Sequence, residues 1–512
     1  MIARHLFLGA TALSLITVPL TRAEAEEKPA SAYVQCDGQP DNVTDGETAA
    51  RLLGAVTLLG LFAPPHEAAD SSKRQSGAAG VSACNSLLSG ERQESNPRRR
   101  LGLIFGRAIH QIEAKNYAAA LADVEMARRE AQAAGFTNDA YFVRSRGRAF
   151  DEIESAALFR MGRVEDARTA SLRDTRNDEF SVVQLLSAAT YGDFLPTISP
   201  DEEQVSIWTA RLMPPLAGVR AARLDLDRRF AESARLWDAL AEMDAEHTPE
   251  TNSSMTIARA AIAHALAGNF ALAAQRAKAA HDNSEKRRLE GKPESGPAEL
   301  VELLDFYGII EQAHSGDIKA ARRLFSARSQ WLSASLGSVM ELSRRLRQDA
   351  SPDELIGGLA KSPEELWKDH ADSKRAEMLA KDSDNKSLFA LVPAERSGKL
   401  YQAVARNVWR TDNSKIVLKN PKADPSKSRF EIMYLPLTDP VVALDAYVLH
   451  AALIARSRGQ QGFVFTPSFS SRSLVGLFRT GNRGDRGFPA EMFINANDVI
   501  QKLSPLIPMP AS

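Results

Sequence analysis

Cys36 and Cys84 are the two cysteines of this 512-residue chain, and thiols at such positions either bond to each other or help hold a metal. A tetrahedral metal site needs further ligands, and no histidine stands beside either cysteine at ligand spacing. An even count in an exported chain favours a disulfide, with free thiols as the alternative. Closing a loop that long stabilises a fold by roughly 4 kcal/mol through chain entropy. The nine histidines fall in no HExxH or related spacing, so no metal is expected. No GxSxG elbow marks a serine as nucleophile, and no catalytic residue and no cofactor are expected.

Two basic clusters remain. Arg98-Arg99-Arg100 reads as a solvated helix face or, more sharply, as a binder of acidic peptide. TGNRGDRGF (480–488) spaces Gly481, Gly484 and Gly487 by threes but lacks the Lys-Ser/Thr of a phosphate loop. It reads as a hairpin loop in which Arg479, Arg483 and Arg486 could hold an anion. An enzyme, if there is one, would use the polar loop residues nearby: Ser468, Ser470, Ser471, Arg472, Arg479 and Asp485. Overall charge gives no lead: 64 basic residues face 65 acidic ones, so no global field draws nucleic acid.

The elements that would position such residues are mostly helical. From 97 to 345, Ala, Leu, Arg and Glu dominate and strand-like alternation is absent. AKNYAAALADVEMA (114–127) returns as AGNFALAAQRAKAA (267–280) and, loosely, as SGDIKAARRLFSA (315–327). Five tight bends share the pattern: Lys115-Asn116, Gly162-Arg163, Arg228-Arg229, Gly268-Asn269 and Gly316-Asp317. Each is followed by a plug residue (Tyr117, Val164, Phe230, Phe270, Ile318) and, three residues on, by a small one (Ala120, Ala167, Ser233, Ala273, Ala321). The bend relieves strain at a helix end, the plug fills the space between paired helices, and the small residue lets them approach. A hairpin of this kind cannot bury its apolar face alone, so neighbours stack.

This arrangement resembles tetratricopeptide (TPR) repeats, most closely through Tyr117, Ala120, Val124 and Ala127 and through Phe270, Ala273, Ala277 and Ala280. It departs from them in spacing: successive bends lie 47, 66, 40 and 48 residues apart. The resemblance implies a TPR-like α-solenoid. Gln111, His264 and Gln312, on the first helix of three hairpins, are the expected groove residues. The fold class is therefore mainly α, a solenoid of helical hairpins followed by a small α/β domain.

The remaining boundaries follow composition. Residues 1–25 read as a cleaved signal peptide, with a basic start, an apolar run at 6–20 and Ala23-Glu24-Ala25 as cleavage site. Residues 26–96 form a helical cap held by the Cys36–Cys84 disulfide, and residues 97–345 are the repeats. Residues 346–400 are a charged helical connector, with helix starts at Ser351-Pro352 and Ser362-Pro363. In 401–512, KIVLKN (415–420), SRFEIMYLPL (428–437), QGFVFTPSF and SLVGLFRT read as strands, and 439–459 and 490–503 carry helices. This part is weakly similar to small α/β domains of proteobacterial envelope lipoproteins, through Ala451, Ala452, Gly459, Phe463, Val464, Phe465, Ala496, Val499, Ile500 and Leu503.

The expected function is a non-enzymatic periplasmic or secreted scaffold that grips a protein or peptide partner in its groove. It would bind no nucleic acid, would not span the membrane after signal cleavage, and could belong to an envelope complex. A structural envelope subunit and an enzyme with its site in the C-terminal domain are the alternatives.

Overall fold

A computed structural model describes residues 30–41, 68–90, 93–173, 175–247, 253–294, 296–381, 384–410, 427–433, 439–469 and 473–507. The expected signal peptide, the apolar stretch after residue 47, the strand expected at 415–420 and the end of the one expected at 428–437 lie outside the described residues. Helices α1 (Ala32–Asp37) and α2 (Gly77–Leu88) make the cap. The hairpin α3 (Pro97–Glu113) and α4 (Tyr117–Ala133) follows, then short α5 (Ala140–Val143) and the hairpin α6 (Ala149–Arg160) and α7 (Val164–Leu172). After α8 (Val182–Ala189) and α9 (Pro200–Leu212) come three more hairpins. They are α10 (Ala217–Leu226) with α11 (Phe230–His247), α12 (Ser254–Leu266) with α13 (Phe270–Leu289), and α14 (Pro297–His314) with α15 (Ile318–Ser326). Helices α16 (Leu336–Arg347), α17 (Pro363–Lys381), α18 (Asn385–Phe389) and α19 (Gly398–Arg410) lead to the C-terminal part. There β1 (Lys427–Met433), α20 (Pro440–Ser457), β2 (Gly462–Phe469), β3 (Ser473–Gly481), β4 (Ile494–Asn495) and α21 (Ala496–Leu503) complete the chain.

All five expected bends are the hairpin bends, and they share one geometry. The second residue after each first helix has positive φ: Lys115 62°, Gly162 81°, Arg228 61°, Gly268 86° and Gly316 94°. The next N–H then donates to the carbonyl five residues back. The pairs are Asn116 to Gln111 (2.8 Å), Arg163 to Leu158 (3.0 Å), Arg229 to Leu224 (2.8 Å), Asn269 to His264 (2.8 Å) and Asp317 to Gln312 (3.1 Å). This closes the last carbonyls of each helix and turns the chain in two residues. Glycine bears the left-handed conformation freely, whereas Lys115 and Arg228 carry it at a cost of about 1 kcal/mol each. Ala120, Ala167, Ser233, Ala273 and Ala321 are all 0% exposed, as close helix approach demands. Phe230 is buried, and Tyr117, Val164, Phe270 and Ile318 are half-buried. Phe270 reaches the next hairpin and stacks on His314, ring centroids 3.4 Å apart.

Cys36 and Cys84 are joined, which clips α1 to α2. The Arg98–Arg100 run is not the solvated face expected of it. Arg99 grips buried Asp37 with bonds of 2.6 and 2.9 Å, Arg100 pairs with Glu130 at 2.8 Å, and Arg98 pairs with Asp139 and Glu395. Its charges are spent inside the chain because the cap and α4 bring carboxylates to it.

The expected connector does more than connect. Helix α16 packs on α10 and α12, and α17 packs on α16 and on the turn at 192–194. Met378 and Leu379 of α17 lie against Phe159 and Tyr191. Helix α18 packs on α3, and Phe389 sits 5.3 Å from His110. The segment thus retraces the array from its far end to the cap, along the first helices of the hairpins. Ser362-Pro363 starts α17 as expected. Ser351-Pro352 makes a single 3-10 turn at Pro352–Glu354, since Gly357-Gly358 follow and glycine propagates a helix poorly.

The C-terminal sheet is antiparallel in the order β1-β3-β2-β4, with Phe465 opposite Phe478 across β2 and β3. Tyr447 of α20 packs its ring 4.5 Å from Phe465. The core beneath is continuous with the array: Leu172, Phe180, Val205, Trp208 and Leu212 pack in one cluster with Tyr401, Val442, Tyr447 and Phe463.

Candidate functional site

A cavity of about 490 Å3 lies between α10, α12 and the returning α16 and α17. Val219, Leu226, Trp237, Ile262, Leu303 and Leu336 give it apolar walls. Arg223, Asp225, Arg259, Ser335, Ser338, His370 and Lys374 give it polar corners. Local sequence builds each side. Ser335 caps α16, accepting from the Ser338 N–H at 3.1 Å. The same hydroxyl donates to Asp225 Oδ2 at 2.6 Å, and the Ser338 hydroxyl reaches that oxygen at 3.2 Å. Gly337 stands between them, where a Cβ would lie 2.3 Å from the Asp225 carbonyl carbon. The end of α10 and the start of α16 therefore touch backbone to backbone.

Asp225 is buried and its Oδ1 has no hydrogen-bond partner. Burial pushes its carboxyl up to about 6, against the hydroxyls of Ser335, Ser233 and Ser338, which favour the anion. A carboxyl raised on folding contributes stability that is complete below its unfolded value near 3.8 and is lost as pH rises through about 6. Urea unfolding at pH 4 and pH 7 is expected to show this against Asp225→Asn. Moving to pH 7 should cost the native chain about 2 kcal/mol more than the variant. An equal pH response in both would show that Asp225 does not titrate as a buried acid.

The cations of the cavity differ in their freedom. Arg223 is engaged by Glu202 at 3.1 Å and by the Leu195 carbonyl at 2.9 Å, and Lys374 pairs with Glu377 at 3.2 Å. Burial and the neighbouring Lys374 ammonium hold His370 below its ordinary value, so it is neutral at pH 7. Arg259 of α12 lies 5.5 Å over the Trp237 ring and makes no ion pair or hydrogen bond among the described residues. Burial works against its charge with no carboxylate to offset it. The arrangement can pair a ligand's carboxylate with Arg259 while apolar groups fill the space beside Trp237.

Gln111, His264 and Gln312, the expected groove residues, do not line this cavity. Each holds its bend through its backbone carbonyl. His264 is buried with Nε2 2.9 Å from Asp238 Oδ2, Gln111 accepts from the Asn116 amide at 3.2 Å, and Gln312 is exposed. They stand on α3, α12 and α14, whereas the cavity is lined from α10, from Arg259 and Ile262 on α12, and from the return segment. Arg259 carried the available signal, as the single Lys or Arg in the Ala-rich SMTIARAAIAHAL. Nothing local pointed to Asp225 or Ser335, which lie 110 residues apart.

Two of the three arginines near 480–488 are engaged within the chain. Arg479 donates to the His247 carbonyl at 2.6 Å, and Arg486 to Glu246 at 2.6 Å. The loop is clamped on the C-terminal end of α11, where free carbonyls attract cations. Ser468 falls in β2, Asp485 bonds within its own loop, and 470–472 lie outside the described residues.

Family models, curated proteins and solved structures offer no match to this chain. Among the described residues, no helix is long and apolar enough to cross a membrane, and no group of His, Cys, Asp or Glu is placed to hold a metal ion.

Proposed function

We propose that this chain is a non-enzymatic binding protein, TPR-like in its hairpins, that acts in the periplasm or outside the cell and receives a peptide segment of a partner. The unspent Arg259 guanidinium over Trp237, beside the apolar walls of the cavity, carries this reading. An arginine without a counter-charge in such a place suits a ligand carboxylate on an apolar chain. The Ser335 hydroxyl is committed to a helix cap and to Asp225, which favours binding over chemistry at this place.

Short apolar peptides with free or amidated C-termini, titrated while Trp fluorescence is recorded, test it. Free-acid peptides are expected to give a saturable change that is absent in Trp237→Phe and at least ~10-fold weaker in Arg259→Gln or on amidation. Binding indifferent to Arg259 and to the carboxylate removes the proposal. A structural role in an envelope assembly is the second reading. Leu332 is 80% and Val301 56% exposed, and the Leu332 N–H bonds to Glu302 beside Val301. Docking of a partner would cover such exposed apolar side chains.

A further inference from the structure

At the opposite end of the array, under the disulfide cap, two more arginines are unspent. Arg74, just before α2, and Arg146, between α5 and α6, line a cavity of about 350 Å3 together with Asp37, Phe389 and Val392. Its acids are already engaged: Asp37 is held by Arg99 at 2.6 and 2.9 Å, and Glu395 by Arg98. Neither Arg74 nor Arg146 makes an ion pair or hydrogen bond among the described residues, and the Nε of each is sealed from solvent without a partner. The Arg74 guanidinium lies 4.0 Å over the Phe389 ring. The backbone of α3 leaves room for the other, since a Cβ at Gly102 would come 2.4 Å from Arg146 Nη2.

Asp37 lies within electrostatic reach of both cations, and Glu113 of Arg74, but Asp37 is already held by Arg99. Buried guanidinium nitrogens without partners are costly, and the cleft keeps donors unspent. We propose that the cap cavity is an oxyanion site, distinct from the Arg259 cavity. It would take the carboxylate or phosphate of a small ligand between Arg74 and Arg146, with the ligand's apolar part against Phe389 and Val392. Planar guanidinium forks suit both oxyanions, and aromatic contact adds an apolar floor.

Calorimetric titration of the disulfide-bonded chain with inorganic phosphate and, separately, with succinate tests this and tells the two chemistries apart. Saturable binding of at least one is expected, weakened at least ~10-fold in Arg74→Gln and in Arg146→Gln and unchanged in Lys278→Gln, whose exposed side chain on α13 lines neither cavity. Gly102→Ala keeps every charge but places a carbon where Nη2 lies, and it should weaken binding as well. Arg74 stands outside any helix, so its variant keeps the test decisive even if Arg146→Gln or Gly102→Ala folds poorly. No saturable heat from either anion up to roughly 10 mM, which is too weak for a built site, overturns the proposal. So does undiminished binding in Arg74→Gln, or loss in Lys278→Gln.

Discussion

Asp445→Ala is expected to cost about 3–5 kcal/mol of stability and to loosen the C-terminal part from the helical array. Asp445 of α20 is 0% exposed and its Oδ2 lies 2.7 Å from Arg144 Nη2, itself 4% exposed. The Tyr401 hydroxyl donates to the same oxygen at 3.1 Å. Around the pair, Arg396 donates to the Arg144 carbonyl at 3.0 Å and pairs with Asp439 at 2.7 Å. Removing Asp445 takes the 2.7 Å partner from a buried guanidinium at the place where the first half of the chain meets α19 and α20. Arg144→Leu combined with Asp445→Ala should recover part of the loss, because no lone charge is then left in the core. Urea unfolding supplies the free energies, and limited proteolysis between α19 and α20 reports the loosening. A single variant within ~1 kcal/mol of the native chain would show that the pair does not bind the two parts.

Gly337→Ala is expected to destabilise by about 2–4 kcal/mol, although an exposed Gly-to-Ala change inside a helix normally stabilises by up to about 1 kcal/mol. The sign reverses because the new Cβ meets backbone: 2.3 Å from the Asp225 carbonyl carbon and 2.4 Å from the Leu226 nitrogen. Backbone at a helix end cannot rotate away as a side chain can, so α16 must shift. That shift would separate Ser335 from Asp225 and deform the Arg259 cavity, so peptide binding should fall with thermal stability. A variant as stable as the native chain, or more so, would refute this close approach.

The two predictions fall on contacts that differ in how far they could be read ahead. Position 337 looks like any glycine in LGSVMELSRRLR until α10 is laid beside it. Asp445 sits in VVALDAYVLHAAL, where an acid among apolar residues hints at burial but names no partner. Arg144 is 301 residues away. Gln111, His264 and Gln312 show the limit from the other side. Helical phase placed them on first helices, yet the return of α16–α18 along that side decides where open space remains.

The amino-acid order alone determined the five bends, the small residues behind them, and the mainly helical class with its small terminal sheet. These follow from bonds reaching five residues back and from an offset of three residues along a helix, whereas the joining of Cys36 to Cys84 was seen only in the structure. Only the tertiary structure decided that 336–389 runs back over the array, that the C-terminal core merges with the helical one, and which arginines find carboxylates. Ion pairs and cavities join side chains tens to hundreds of residues apart, and such distances leave no periodic trace in a sequence. Arg98, Arg99 and Arg100 are adjacent and chemically identical to Arg74, Arg146 and Arg259, yet packing gives the first three partners and leaves the other three facing open cavities.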